Sequence, residues 1–139
     1  MVLRMFGAKL GANCKFYPKV VVWAPWNLVC EQNVAVGDGA EIYNPAPMRL
    51  GAYFILSQDG YLCGATHDYN DPAFPLIAYE MDFGAYAWVC AKASVAPGVS
   101  MGDGAVLGLG SVATRTMEPW TVYAGVPAVK VKERQRRTE

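Results

Sequence analysis

The chain has one histidine, His67, set in a run of polar and turn-forming residues, Thr66-His67-Asp68-Tyr69-Asn70-Asp71-Pro72. Imidazole titrates near neutrality, with an ordinary pKa of about 6.5, so a positioned ring can take a proton from a hydroxyl or amine and pass it on. Asp68 and Asp71 stand close enough in sequence to orient such a ring, and both are also ordinary turn-formers ahead of Pro72. The cysteines Cys14, Cys30, Cys63 and Cys90 include no C-x-x-C pair, so the spacing of a zinc or dithiol site is missing. Small buried residues are their expected role. Arg115 and the basic stretch Lys130, Lys132, Arg134, Arg136 and Arg137 could meet phosphates or simply face solvent. A lone histidine in an arbitrary loop does not mark a site. The scaffold that carries it decides.

That scaffold is written in a ladder of six. Leu10, Phe16 and Val22 form a trio with a step of six, as do Cys30, Val36 and Ile42, and Leu50, Leu56 and Leu62. Phe83, Val89 and Val95, then Met101, Leu107 and Ala113, continue it. Neither the helical period of about 3.6 nor the strand period of 2 explains this step. Trios of sixes predict a solenoid whose every coil has three flat faces, with one inward aliphatic per face. The residue after each rung is often small, as in Gly11, Gly37, Gly51, Gly84, Gly102 and Gly108, which suits a tight corner.

The ladder is interrupted after Val22, Ile42 and Leu62, the last rungs of three successive trios. All three insertions must therefore leave at one corner of the prism. The first two lie near Ala24-Pro25-Trp26-Asn27 and Asn44-Pro45-Ala46-Pro47; the third is a long excursion containing His67. Long loops on a rigid repeat scaffold are where function concentrates. The expected organisation is one domain over 1–139, with coils over about 8–63 and 82–116 and the loop over about 64–81. The ladder stops at Ala113 on this reading, leaving a tail over 117–139 whose basic stretch is compatible with a short helix.

Lys plus Arg equals Asp plus Glu at twelve each, so overall charge points to neither nucleic acid nor membrane. No apolar run is long enough to span a bilayer, and the start does not read as a signal peptide, so a cytoplasmic protein is expected. Trp23, Trp26, Trp88, Trp120 and eight tyrosines are too many for the inside of a narrow prism, which predicts a subunit interface.

The ladder, with Pro25-Trp26-Asn27-Leu28, Ser57-Gln58-Asp59-Gly60-Tyr61-Leu62-Cys63, the stretch from His67 to Ile77, Pro97-Gly98-Val99 and Gly125-Val126-Pro127-Ala128, resembles the hexapeptide-repeat acyltransferases. It most resembles the O-acetyltransferases of bacterial exopolysaccharide synthesis, of the colanic-acid type. The resemblance implies an all-β, left-handed parallel β-helix of about five three-faced coils. It also implies a homotrimer with acetyl-CoA lying between neighbouring prisms, no metal, and His67 as general base. By position it places Trp88 beside the active site, and Gly110, Ser111, Thr114 and Arg115 along the cosubstrate; Asp68, Asp71 and Tyr69 are expected to line the site by their nearness to His67 in the sequence. Lys130 and Arg134 then fall where the family meets the phosphates of CoA. Leu109, Thr116, Val126 and Glu31 depart from the usual pattern, Glu31 standing at a corner where glycine is common.

The implied reaction is acetyl transfer to a hydroxyl of a sugar or glycan precursor. Tyr69, Phe74 and Tyr79 suggest a partly apolar, stackable pocket, which also admits an aromatic drug, a lipid-linked glycan or an amine acceptor. The alternatives are a xenobiotic or small-molecule acetyltransferase and a non-catalytic hexapeptide-repeat assembly protein. Trp88 could equally seal a subunit contact. A γ-type carbonic anhydrase on the same scaffold would need three histidine ligands and is excluded by the single histidine.

Overall fold

The computed structural model describes residues 2–137, and in it the predicted rungs stack in register. On the first face Leu10, Cys30, Leu50 and Phe83 are parallel-strand partners in turn, and isolated bridges carry the column on through Met101 to Met117. The second face runs Phe16, Val36, Leu56, Val89, Leu107 and Tyr123. The third runs Val22, Ile42, Leu62, Val95 and Ala113. In the first five coils the strands are only two or three residues long because each face holds one inward side chain before the next corner. Rungs such as Leu50, Leu56, Leu62, Val89 and Leu107 are fully buried, each contributing on the order of 2 kcal/mol of transfer free energy.

The ladder does not stop at Ala113. Met117 and Tyr123 keep the step of six and begin a sixth coil of two faces. The following chain is no helix. Thr121–Gly125 and Ala128–Glu133 form an antiparallel hairpin that closes the end of the second face. The alternation Val129-Lys130-Val131-Lys132 already carried that period of two. At the other end a short helix, Val2–Met5, lies over the first coil, with Leu3 on the core and Arg4 donating to the carbonyls of Leu10 (2.9 Å) and Gly11 (3.3 Å).

Corners are held by specific devices. Where the first face turns into the second, Tyr53, Tyr86, Gly104 and Trp120 each take a left-handed backbone conformation. Tyr53 and Tyr86 stack with centroids 4.8 Å apart. In the coil above, this corner position is Gly104, and the Trp120 ring lies over it where a Cβ would sit 2.3 Å from ring carbon Cδ2. Glu31, in place of a corner glycine, accepts the Ala52 amide (3.1 Å) and pairs with Arg49, which also donates to Asp82 at 2.7 Å. The Arg49 hydrogen bond, then the amide, holds the Glu31 carboxyl below its ordinary range.

Candidate active site

The third insertion leaves the corner between the third and first faces as an antiparallel hairpin, Ala65–His67 paired with Leu76–Ala78. Its register sets Thr66 opposite Ile77 and His67 opposite Leu76. The turn beyond brings the Phe74 carbonyl to 2.8 Å from His67 Nδ1. A carbonyl only accepts, so Nδ1 carries the proton in this contact and Nε2 keeps its lone pair, on an exposed side chain. The hairpin thus fixes both tautomer and ring orientation.

Asp68 and Asp71 do not hold the ring. Asp68 Oδ1 accepts the Asn70 amide at 3.1 Å and Asp71 Oδ1 accepts the Ala73 amide at 2.9 Å, so both shape the turn. Tyr69, at the hairpin tip, is 79% exposed, and Phe74 is also open to solvent. Tyr79, on the return, packs its ring against Gly98 in the corner of the next coil.

The corner beneath is rigid for a reason not visible in the ladder. Asn44 is fully buried, and its amide donates to the Ala24 carbonyl while its oxygen accepts the Ala24 amide, both at 2.9 Å. Asn27 Nδ2 in turn donates to the carbonyls of Asn44 and Pro45. The three insertions are tied together, for the Gly64 amide at the hairpin's foot donates to the Tyr43 carbonyl at 2.7 Å. A cleft of about 550 Å³ opens beside this foot, but its arginine, Arg49, is already held by Glu31 and Asp82.

The remaining site residues fall into three places. Arg115 and Lys130 line one cleft of about 230 Å³ with Thr116, Met117 and Tyr123. Its Arg115–Met117 wall belongs to the corner that carries the hairpin, two coils further on, about 10 Å along the axis. Thr114 is exposed on the same corner. Gly110 and Ser111 instead occupy the corner between the second and third faces. There Gly110 adopts a φ of +65° and the buried Ser111 accepts the Gly125 amide at 2.9 Å. Arg134 is elsewhere again. It donates to the carbonyls of Tyr86 (2.8 Å) and Gly104 (3.1 Å), with its guanidinium 5.2 Å from the Trp120 ring centre. Arg136, expected to face solvent, also lies over Trp120, at 4.7 Å. A planar guanidinium above an indole and beside two carbonyls explains why Arg134 leaves the phosphate cluster expected of it.

Trp88 stands mid-strand on the second face, 40% exposed, between Ile55 and Val106, and its indole donates to Ser57 Oγ at 2.9 Å. Ser57 borders a cleft of about 320 Å³ with Tyr17, Asp38, Ile55 and Gln58. In a three-sided prism the second face lies opposite the corner that carries the hairpin, so within one chain His67 and Trp88 do not meet. Sequence reasoning missed the Phe74 carbonyl, a backbone group with no residue signature, and Ser57, although the stretch containing it was singled out. Among the described residues no cluster of three His, Cys, Asp or Glu could hold a metal ion.

The comparisons with known proteins agree with this architecture. No family model matches the chain. The colanic acid biosynthesis acetyltransferase WcaF of Escherichia coli (strain K12) is 36% identical over 133 residues, 96% of this chain and 73% of that protein. The galactoside O-acetyltransferase of the same strain is 33% identical over 136 residues, 96% of this chain and 66% of that protein. Among solved structures, a hexapeptide-repeat-containing acetyltransferase from Vibrio cholerae O1 biovar eltor, complexed with acetyl coenzyme A, superposes with a TM-score of 0.91. It is 18% identical and covers 97% of this chain and 75% of that one. With a relative of this similarity along almost its whole length, and a six-step solenoid interrupted by a histidine hairpin, the chain belongs to the hexapeptide-repeat acetyltransferases.

Proposed function

We propose that this protein transfers the acetyl group of acetyl-CoA to a hydroxyl of a sugar or glycan precursor, with His67 as general base. The observation that carries the reading is the 2.8 Å contact from Nδ1 to the Phe74 carbonyl, which leaves a basic Nε2 on an exposed hairpin. Nε2 takes the acceptor proton as the acceptor oxygen bonds to the thioester carbonyl carbon. The C–S bond then breaks, and the imidazolium returns the proton to the departing thiolate, giving the acetyl ester and free CoA thiol. Arg115 and Lys130, sharing a cleft on the same corner, are the groups suited to the CoA phosphates. The sugar class is supported by relatives named for colanic acid and galactoside acetylation.

The site is shared between copies in a homotrimer. Supporting this, Trp88 and the cleft at Ser57 lie on the opposite side of the prism from the hairpin, so a neighbouring subunit must bring them to His67. Exposed Ile55 and Trp88, on the second face, supply apolar surface for such contacts. An acceptor screen with acetyl-CoA, scored by free-thiol release, tests the activity. Light scattering should give three times the chain mass of 15.1 kDa. A stable monomer at micromolar concentration would remove the shared site, and no thiol release with any sugar acceptor would remove the substrate class.

A further inference from the structure

The balanced overall charge hides an imbalance at one end of the prism. No acidic residue precedes Glu31, whereas Arg4, Lys9, Lys15 and Lys19 all fall in that stretch. The first coil spreads its three lysines around the rim. Lys9 projects from the first face, Lys15 from the second, and Lys19 from the corner between the second and third, all three exposed. None is in an ion pair, because the ion pairs among the described residues all belong to Arg49.

Inside that rim the end is apolar and open. The four-residue helix covers only part of it, leaving Met5 82% and Phe6 61% exposed. Val2 and Leu3 border a cleft of about 310 Å³ with the first rungs Phe16 and Val22. Trp23 and Trp26 project from the third corner of the same coil, both more than half exposed. Apolar side chains at the centre, indoles beside them and cations around them, with Asp38 the carboxylate that reaches the rim and accepts the Lys19 amide at 3.0 Å, are the attributes of a surface that settles on an anionic bilayer.

We propose that this end of the prism docks peripherally on an anionic phospholipid bilayer. Met5 and Phe6 enter the boundary between headgroups and acyl chains, Trp23 and Trp26 lie at headgroup level, and Lys9, Lys15 and Lys19 meet lipid phosphates. No helix among the described residues is long and apolar enough to cross a membrane, which fits attachment at the surface. A second copy is the poorer occupant, because a symmetric end-to-end pair would set the same cations against one another. The docking stands independently of the acetyl-transfer reading. Its consequence for that reading is that the His67 hairpin leaves about 10 Å behind the docked end, within reach of an acceptor carried on a lipid.

The test is co-sedimentation of the full chain with vesicles of phosphatidylglycerol and phosphatidylethanolamine, against vesicles of phosphatidylcholine alone, with tryptophan emission read in parallel. Partition onto the anionic vesicles with a blue shift is expected. The triple variant Lys9→Glu/Lys15→Glu/Lys19→Glu should lose at least about 100-fold in partition. Met5→Ser/Phe6→Ser should lose about tenfold, while Lys132→Glu/Arg137→Glu at the far end should stay within about threefold of wild type. All these positions are exposed, and unchanged circular dichroism melts establish that the variants fold. Equal partition onto neutral vesicles, no partition onto anionic ones, or loss through the far-end variant instead would overturn the proposal. So would wild-type end-to-end dimers that Met5→Ser/Phe6→Ser dissolves. A chain that fails to transfer acetyl groups but still binds anionic vesicles would sink the enzymatic reading and leave this one standing.

Discussion

His67 Nδ1 lies 2.8 Å from the carbonyl oxygen of Phe74, seven residues on, across the turn of the hairpin. The orienting partner of the imidazole is therefore a backbone group, and the two nearby carboxylates are occupied with the amides of Asn70 and Ala73. A carbonyl stays neutral at any pH, so it fixes the tautomer without adding a charge beside the ring.

From this follows a contrast between neighbours. Asp68→Asn and Asp71→Asn each keep an acceptor oxygen for the turn, so turnover in steady-state assays should fall by less than about fivefold. A loss of 100-fold in either variant would make that carboxylate part of the catalytic apparatus.

Asn44 joins two insertions in the buried corner beneath the hairpin. Asn44→Ala leaves the Ala24 amide and carbonyl unpartnered inside the protein, at about 1–3 kcal/mol for each group. Chemical denaturation should report a loss of about 3 kcal/mol, larger than that of an exposed asparagine such as Asn70.

The basic residues separate by role. Arg115→Ala and Lys130→Ala should raise the KM for acetyl-CoA by about 3- to 30-fold while leaving the melting temperature within about 2 °C, since each removes a charge-assisted contact to phosphate. Arg134→Ala should do the reverse, lowering the melting temperature with KM unchanged, because its guanidinium serves the carbonyls of Tyr86 and Gly104 and the face of Trp120.

Glu31 ties stability weakly to pH. Arg49 and the Ala52 amide depress its folded-state pKa. The pair therefore stabilises fully above the unfolded glutamate pKa of about 4.3 and loses that contribution as pH falls through the lower folded value. The site is exposed and screened, so Glu31→Gln should cost less than about 1 kcal/mol at pH 7. The gap between variant and wild type should narrow below the unfolded value and close once the pH lies below the folded one.

The scaffold was legible because its signal is repetitive. Each inward rung from Leu10 to Ala113 pairs with the residue that the step of six assigns to it. The sixth coil was hidden by a short step of four from Ala113 to Met117, after which the same period resumes at Tyr123. The site was legible only in part. The position of the hairpin followed from the broken ladder, but what fixes His67 is a main-chain oxygen, and what fixes the corner is a contact between residues twenty apart. Arg134 looked like a phosphate ligand because sequence carries its charge and not the indole waiting beneath it.

The most direct test of the central claim is acceptor-dependent thiol release from acetyl-CoA by His67→Asn. An asparagine amide can still donate toward the Phe74 carbonyl but has no base to offer. General-base catalysis by His67 predicts a fall in kcat of about 100-fold or more, with the acetyl-CoA KM within about twofold and an unchanged melt. Wild-type kcat in the folded variant would contradict it.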